Sequence, residues 1–121
     1  MTATRVPRIH LDEAECARVT ELMELIGRRW ASVILVAVGA GAERFTQIEQ
    51  AVEGLSSRML AVRLRDLEGG GLVERVVTPT TPVSITYRLT ANGREMVRSL
   101  QAMGRVVRGS EPAAGSRPAA G

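Results

Sequence analysis

With 121 residues, of which 45% are apolar and only 2% aromatic, the chain has room for one domain with a modest, aliphatic core. Its basic residues are all arginine and outnumber the acidic ones 16 to 13, which gives a net charge of +3, a pI near 10.4 and a preference for anionic partners. The single cysteine, Cys16, excludes an intrachain disulfide, and the longest apolar run, 31–42, is too short for a bilayer, so we expect a soluble, cytoplasmic protein.

Four helices are predicted in the first half of the chain, after a flexible N-terminal arm at residues 1–11. Apolar residues recur at helical spacing from residue 12 or 13 to residue 26, and the almost entirely apolar run 30–38 predicts a buried second helix. A short third helix is expected over 45–52. The fourth, over 57–68, follows a serine N-cap and ends at three consecutive glycines.

The second half of the chain changes to the two-residue period of β-strands. Residues 72–77 are rich in β-branched side chains, and apolar and polar residues alternate over 83–89. Residues 78–82 between them predict a hairpin tip, because proline lacks the N–H group that a strand ladder needs. Thr90 is expected to cap a last helix, and residues 109–121, rich in Gly, Pro, Ala and Ser, predict a disordered tail.

This order of elements is typical of a winged helix-turn-helix. We therefore expect a mainly α fold with a small β-hairpin, formed as one domain over residues 12–108. In such a fold the helix 57–68 is the recognition helix, which enters the major groove of DNA, and the hairpin 72–89 is the wing, which lies on the DNA backbone.

The predicted recognition helix has a leucine side and an arginine side. Leu60, Leu64 and Leu67 share the side that faces a core, and the opposite side carries arginine and small residues. An ordinary surface helix with solvated arginines would show the same pattern, but the glycine stop and the basic hairpin after it favour DNA binding. The candidate DNA contacts in and before this helix are Ser56, Ser57, Arg58, Ala61, Val62, Arg63 and Arg65.

Different roles are expected for the basic residues. Arg58, at the N-terminal end of the helix, is placed for a guanine edge or a phosphate, whereas Arg63 and Arg65 lie farther along and suit phosphates. The wing is expected to contribute phosphate contacts through a basic strand face, and the third helix through its first turn. These additional candidates are Arg75 and Arg88 in the wing, and Arg44 and Gln47 in the third helix.

Several stretches resemble those of HxlR-type winged helix-turn-helix regulators. Together with their spacing they span roughly residues 16–104. They are residues 25–30 (LIGRRW), 44–48 (RFTQI), 55–68 (LSSRMLAVRLRDLE), 71–75 (GLVER) and 87–93 (YRLTANG). The resemblance implies a transcription regulator that binds a two-fold operator as a homodimer, with its first and last helices forming the dimer interface.

The sequence departs from this family pattern in two places. Three glycines, Gly69 to Gly71, follow the recognition helix where the family usually has one, which predicts a looser join between helix and wing. Arg28-Arg29-Trp30 stands where the family commonly has Gly-Lys-Trp, which keeps a positive charge.

The first and last helices carry more apolar surface than a small winged-helix core needs. Two interpretations are open: these side chains pack against a second chain, or both helices close the core of the monomer. The candidate interface residues are Val19, Met23 and Ile26 in the first helix and Leu100, Met103 and Val107 in the last.

Two kinds of signal are conceivable. In several members of the resembled family a cysteine near the position of Cys16 senses oxidants or electrophiles; alternatively, Cys16 lies on the apolar stripe as a thiol of the core. A small ligand could also bind between the dimer helices in an adaptable pocket, although methionines at helical spacing are more often core. The candidate lining residues are Met23, Met59, Met96 and Met103.

Other function classes have weaker support in the sequence. The only histidine, His10, has no partners beyond Asp12 and Glu13 that would suit catalysis or a metal, so neither an enzyme nor a cofactor is expected. The alternative, a winged-helix module that binds protein, would be favoured by an acidic or neutral recognition face, whereas Arg58, Arg63 and Arg65 favour DNA. Repression is the expected sign of regulation, because a small dimer acts most simply by blocking a promoter.

Overall fold

A computed structural model describes residues 12–109, within which five helices and two antiparallel strands follow one another. The elements are α1 (Glu13–Gly27), α2 (Ala31–Gly39), α3 (Phe45–Ala51), α4 (Ser57–Gly69), β1 (Val73–Thr78), β2 (Ser84–Leu89) and α5 (Ala91–Gly109). This is the predicted order of a winged helix-turn-helix, and each predicted boundary lies within two residues of the observed one. The predictions for residues 1–11 and 110–121, including His10, concern residues outside this range.

The middle of the fold is α2, which is apolar on nearly every side. Ile34 and Leu35 are fully buried on it, and it packs against α1, α3, α4, α5 and β2. A helix with apolar residues all round can only be stable in such surroundings. The other buried side chains of the core, all aliphatic as the composition predicts, are Leu25, Ala31, Val38, Ile48, Val52, Leu55, Leu60, Leu64, Leu67, Leu72, Val73 and Val97.

The N-cap residue of α2, Trp30, has an unusual backbone conformation. Trp30 has φ +76, in the left-handed region that side chains other than glycine rarely adopt. Its ring is half-buried against the core, and the Arg29 guanidinium lies 4.9 Å from the ring centroid. The partly buried ring therefore holds the backbone at this sharp entry into α2 against the core.

The three glycines after α4 do not loosen the join to the wing, contrary to the sequence expectation. The Leu72 N–H donates to the Leu67 carbonyl at 3.0 Å and the Gly71 N–H to the Glu68 carbonyl at 3.0 Å, with Gly71 at φ +75. These bonds form a Schellman motif, which ends a helix tightly. A Cβ at Gly70 would lie 2.3 Å from Leu25 Cδ2, so this glycine permits close contact with α1.

The hairpin is fixed to the body at its base and extends beyond it at its tip. The Tyr87 N–H donates to the Glu43 carbonyl at 2.7 Å, and the Thr90 hydroxyl donates to the Gly71 carbonyl at 2.6 Å. Thr90 also caps α5 as predicted, because its hydroxyl accepts from the Gly93 N–H at 3.0 Å. The predicted half-buried strand face is wrong at its outer end: Val83 and Ile85 are exposed, since no other element covers the tip.

Candidate nucleic-acid interface

Helices α3 and α4 form a helix-turn-helix around a short turn. Gly54 has φ +83, which glycine adopts without strain, and the Ser56 hydroxyl caps α4 by accepting from the Met59 N–H at 3.1 Å. Leu60, Leu64 and Leu67 are buried beneath α4, as the leucine stripe predicts. The N-terminal end of α4 and its opposite side therefore remain on the surface.

The exposed side of α4 carries Arg58, Val62 and Arg65, with Ala61 half-buried between them. Arg58 lies in the first turn, and its guanidinium has no hydrogen bond or ion pair to any residue in the range 12–109. An arginine that is exposed and unpaired at a helix N-terminus can bind a base edge or a phosphate without first breaking an internal contact. The small Ala61 side chain leaves room for another molecule to approach α4 closely.

The two serines at the start of this face, both candidate DNA contacts, are not free hydroxyls. Ser56 is occupied as the N-cap, and the Ser57 hydroxyl donates to the Glu49 carboxylate of α3. The Ser56 bond closes the first turn of α4, and the Ser57 bond joins α4 to α3.

Arg63 is not on the exposed face and already has partners within the chain, so its sequence assignment as a phosphate contact stays a prediction. Its side chain is only 16% exposed; its Nε donates to the Arg29 carbonyl at 2.8 Å and its Nη1 to the Asp66 carboxylate at 3.1 Å. Arg28 binds the same carboxylate at 3.1 Å. Asp66, which the sequence analysis did not select, thus joins α4 to the loop between α1 and α2; its spacing of three from Arg63 was the available signal.

The first turn of α3 contacts the wing rather than standing apart from it. The Gln47 side-chain oxygen accepts from the backbone N–H groups of Arg44 at 2.9 Å and Glu43 at 3.1 Å, so it caps the helix. The Arg44 guanidinium donates to the Ser84 hydroxyl at 3.2 Å. Both residues lie near the candidate interface, but each already has a structural contact.

The two wing arginines lie on opposite faces of the hairpin, so the predicted basic strand face does not form. Arg75 pairs with Tyr87 across the ladder, whereas Arg88 pairs with Glu74 in the next register position. Only the face with Arg75 borders α4. The wing therefore presents one arginine to the side on which the recognition helix lies.

Arg88 is neutralised by its neighbour. Its Nε donates to the Glu74 carboxylate at 2.9 Å, and this hydrogen bond, with the charge of Arg88, holds the pKa of Glu74 below its ordinary value and raises the pKa of Arg88. Because the pKa of Glu74 is lowered in the folded state, the ion pair stabilises the fold fully at pH values above the ordinary carboxyl pKa. This stabilisation is lost as the pH falls through the lowered pKa of Glu74. At neutral pH the pair is intact.

A second candidate surface lies on α1 and α5. Met23 is 63% exposed, Met103 58% and Val107 61%, and Val19 is also exposed. Ile26 and Leu100, assigned with them from the sequence, are instead half-buried against the core. One side of these helices therefore closes the monomer core, and the other carries an exposed apolar strip, for which packing against a second chain stays a prediction.

The residues proposed from the sequence to sense a signal, Cys16 and four methionines, do not lie together in one site. Cys16 is exposed in the first turns of α1, so it is not a thiol of the monomer core. Met59 and Met96 pack against the core, whereas Met23 and Met103 are exposed, so the four methionines do not line one pocket within this chain. Among residues 12–109, no group of three His, Cys, Asp or Glu side chains could hold a metal ion, and no helix has the length and apolarity needed to cross a membrane.

Comparison with known proteins places these observations in a family. The family model described as HxlR-like helix-turn-helix matches residues 25–112. The chain is 40% identical to the uncharacterized HTH-type transcriptional regulator YvaP of Bacillus subtilis over 67% of its own length and 75% of that protein. It is 36% identical to the HTH-type transcriptional regulator YodB of the same organism over 73% and 79% of the two chains.

Solved structures show the same fold. The reduced form of YodB superposes with a TM-score of 0.72 and 34% identity over 78% of this chain and 93% of that one. The redox regulator HypR in its oxidized form gives a TM-score of 0.68 and 26% identity over 78% and 98%.

Proposed function

Because the chain belongs to the HxlR-like helix-turn-helix family, we propose that it binds a two-fold operator in DNA as a homodimer and represses transcription there. Its relatives are transcriptional regulators, which is a non-enzymatic kind of function. In this proposal α4 lies in the major groove and the hairpin rests on the neighbouring backbone.

The observation that carries the proposal is the position of Arg58. It is the one arginine in the first turn of α4, it is exposed, and it makes no ion pair within residues 12–109. Arg65 follows on the same side and Arg75 faces it from the wing, so the recognition face is basic. A winged-helix module that binds protein through this face is disfavoured by the same three charges.

The homodimer is supported by the uncovered apolar strip on α1 and α5. Such strips on small chains are typically covered by a partner, and two-fold symmetry gives the same strip to each chain. The recognition helices of the two chains would then lie roughly 34–36 Å apart, which is one turn of DNA. A small ligand between the dimer helices remains compatible with this arrangement and would be contacted by Met23 and Met103.

We infer a second candidate function, control by thiol oxidation, from the exposure of Cys16. One similar structure is of YodB after treatment with diamide, and another is of a redox regulator in its oxidized form. This chain has one cysteine, so a disulfide must join Cys16 to another molecule. Two thiols form one disulfide and release two protons and two electrons, which diamide takes up as it is reduced to a hydrazine.

Thiol control is tested by binding assays before and after diamide, with Cys16→Ser as the control. The expected result is a change in DNA affinity and a cross-linked or mixed-disulfide species in the wild type alone. Unchanged DNA binding by fully modified Cys16 would contradict it.

DNA recognition is tested by genome-wide mapping of bound sites, followed by binding measurements on a mapped fragment. Wild-type protein should occupy discrete sites. Arg58→Ala should lose about 1–3 kcal/mol on the mapped fragment and much less on random DNA. Equal loss on both kinds of DNA would refute base reading by Arg58, and the absence of discrete sites would refute the proposed function.

A further inference from the structure

A cleft of about 400 Å³ separates the recognition helix from the wing. Arg65 and Glu68 stand on its α4 side, and Arg75 and Tyr87 on its wing side. Its floor is apolar and is formed by Phe45, Ala61 and Leu64. The cleft therefore has a positive charge on each wall above a floor without charge.

The two arginines of the cleft differ from four other arginines of the described range. Arg28, Arg63, Arg88 and Arg98 are each paired with a carboxylate. Arg65 and Arg75 are exposed, and neither guanidinium makes a hydrogen bond or an ion pair within residues 12–109, although Glu68 lines the same cleft. Two unpaired guanidinium groups that face one cleft from different elements are suited to an anion between them.

We propose that this cleft holds one backbone phosphate of DNA, bound jointly by Arg65 and Arg75. The inference rests on the proposed function, because a helix in the major groove and a wing on the backbone require one DNA strand to cross the gap between them. Each arginine then binds one non-bridging oxygen of that phosphate. The apolar floor faces the adjoining sugar.

The charge of the cleft favours a diester over a free phosphate ion. Two arginines and one glutamate give the cleft a charge of +1, which matches the single negative charge of a backbone phosphate. A free phosphate ion is a mixture of the monoanion and the dianion at neutral pH, with a mean charge of roughly −1.5, and Glu68 would repel it more strongly than a diester. Both candidate ligands are phosphates, and the charge of the cleft favours the phosphodiester of the DNA backbone.

The test is a double-mutant cycle on a mixed-sequence duplex with a fluorescent label, measured at several NaCl concentrations. Arg65→Ala and Arg75→Ala should each weaken binding on the order of tenfold per subunit. The Kd of the double variant should lie within about threefold of the Kd of the single variant that binds less tightly. The reason is that removal of either arginine already releases the shared phosphate. Arg98→Ala, on α5 and outside the cleft, is the control and should leave binding unchanged.

The salt dependence gives an independent count of the phosphates. Each single variant and the double variant should reduce the slope of log Kd against log salt by about 0.9 per subunit, the value for one phosphate. A double variant whose losses multiply, with a slope reduced by about 1.8 per subunit, would show two separate phosphates and overturn the proposal. Thermal unfolding of each variant verifies that it is folded.

Inorganic phosphate distinguishes the two sources of the anion. At constant ionic strength it should displace the duplex no better than chloride does. Selective displacement by millimolar phosphate, lost in the double variant, would identify the cleft as a site for a free anion and contradict the proposal. If the wild-type chain bound no duplex at all, the proposed function itself would fail; additive losses with intact binding would overturn only the shared phosphate.

Discussion

Arginine residues five positions apart in α4 have different tasks in this structure. Arg58 is exposed and unpaired within the described range, whereas Arg63 binds the Arg29 carbonyl and Asp66. Residue type alone does not distinguish them, because both are long, charged side chains on one helix. The distinction arises from the loop between α1 and α2, which packs against the side of α4 that carries Arg63.

Arg63→Ala is therefore expected to destabilise the fold by about 1–3 kcal/mol, because it removes the donor to the Arg29 carbonyl and leaves the partly buried Asp66 carboxylate with Arg28 alone. Arg65→Ala, two residues along and exposed, is the matched control and should change stability by no more than about 0.5 kcal/mol. Denaturant unfolding of the two variants measures the difference. Equal stability losses would show that the contacts of Arg63 contribute nothing specific.

The wing arginines lead to a second prediction. Arg75→Ala should weaken binding to any duplex and reduce its salt dependence, whereas Arg88→Ala should have a smaller effect, because Glu74 already neutralises Arg88 on the opposite face. Binding to random-sequence DNA at two salt concentrations tests this order. A larger effect of Arg88→Ala than of Arg75→Ala would indicate that DNA contacts the Arg88 face of the hairpin, and this would contradict the prediction.

At the scale of elements, close packing at glycines determines how the wing and α5 join the body. A Cβ at Gly93 would lie 2.0 Å from the Leu72 carbonyl oxygen, so α5 approaches the base of β1 only because this residue has no side chain. Gly69, in the last turn of α4, has open space around its Cβ position. Gly93 is therefore required for the contact of α5 with Leu72, whereas a side chain at Gly69 would meet no neighbouring atom.

Gly93→Ala should cost about 2–3 kcal/mol of stability, since the backbone of Leu72 cannot move aside as a flexible side chain can. Gly69→Ala should be neutral or stabilise by up to about 1 kcal/mol, because alanine restricts the unfolded chain without a clash. Thermal unfolding of the pair provides the comparison. A neutral Gly93→Ala would contradict the close packing of α5 on β1.

The sequence predicted the elements well because their signals are local. The leucine stripe of α4, the serine cap at Ser56 and the threonine cap at Thr90 each depend on residues within one or two turns. The contacts of Arg63 and the separation of Arg75 from Arg88 depend on which element packs on which face. The Ser57 bond to Glu49 and the exposed Val83 depend on tertiary placement in the same way, so periodicity could not predict them.

At the scale of the whole molecule, the described domain has a basic face on α4 and the wing and an apolar strip on α1 and α5. These surfaces suit two different partners, DNA and a second copy of the chain. A dimer joins two recognition helices into one unit, and this doubles the DNA contacts without a larger chain.

Met23→Glu and Met103→Glu should each raise the dissociation constant of the dimer at least tenfold, which corresponds to about 1.4 kcal/mol, because each places a charge in an apolar interface. Gln101→Glu adds the same charge to α5 at an exposed polar position and should leave the dimer intact. Sedimentation velocity over a range of concentrations measures the effect. Unchanged dimerisation in both methionine variants would exclude the apolar strip as the interface.

Joint reading of DNA by two copies of α4 can be tested by selecting bound duplexes from a random library and sequencing them. We expect an enriched motif with two-fold symmetry and half-sites about 10 base pairs apart, and weaker base preference in selections with Arg58→Ala. A wild-type selection that yields no motif, or an asymmetric motif unaffected by Arg58→Ala, would contradict it.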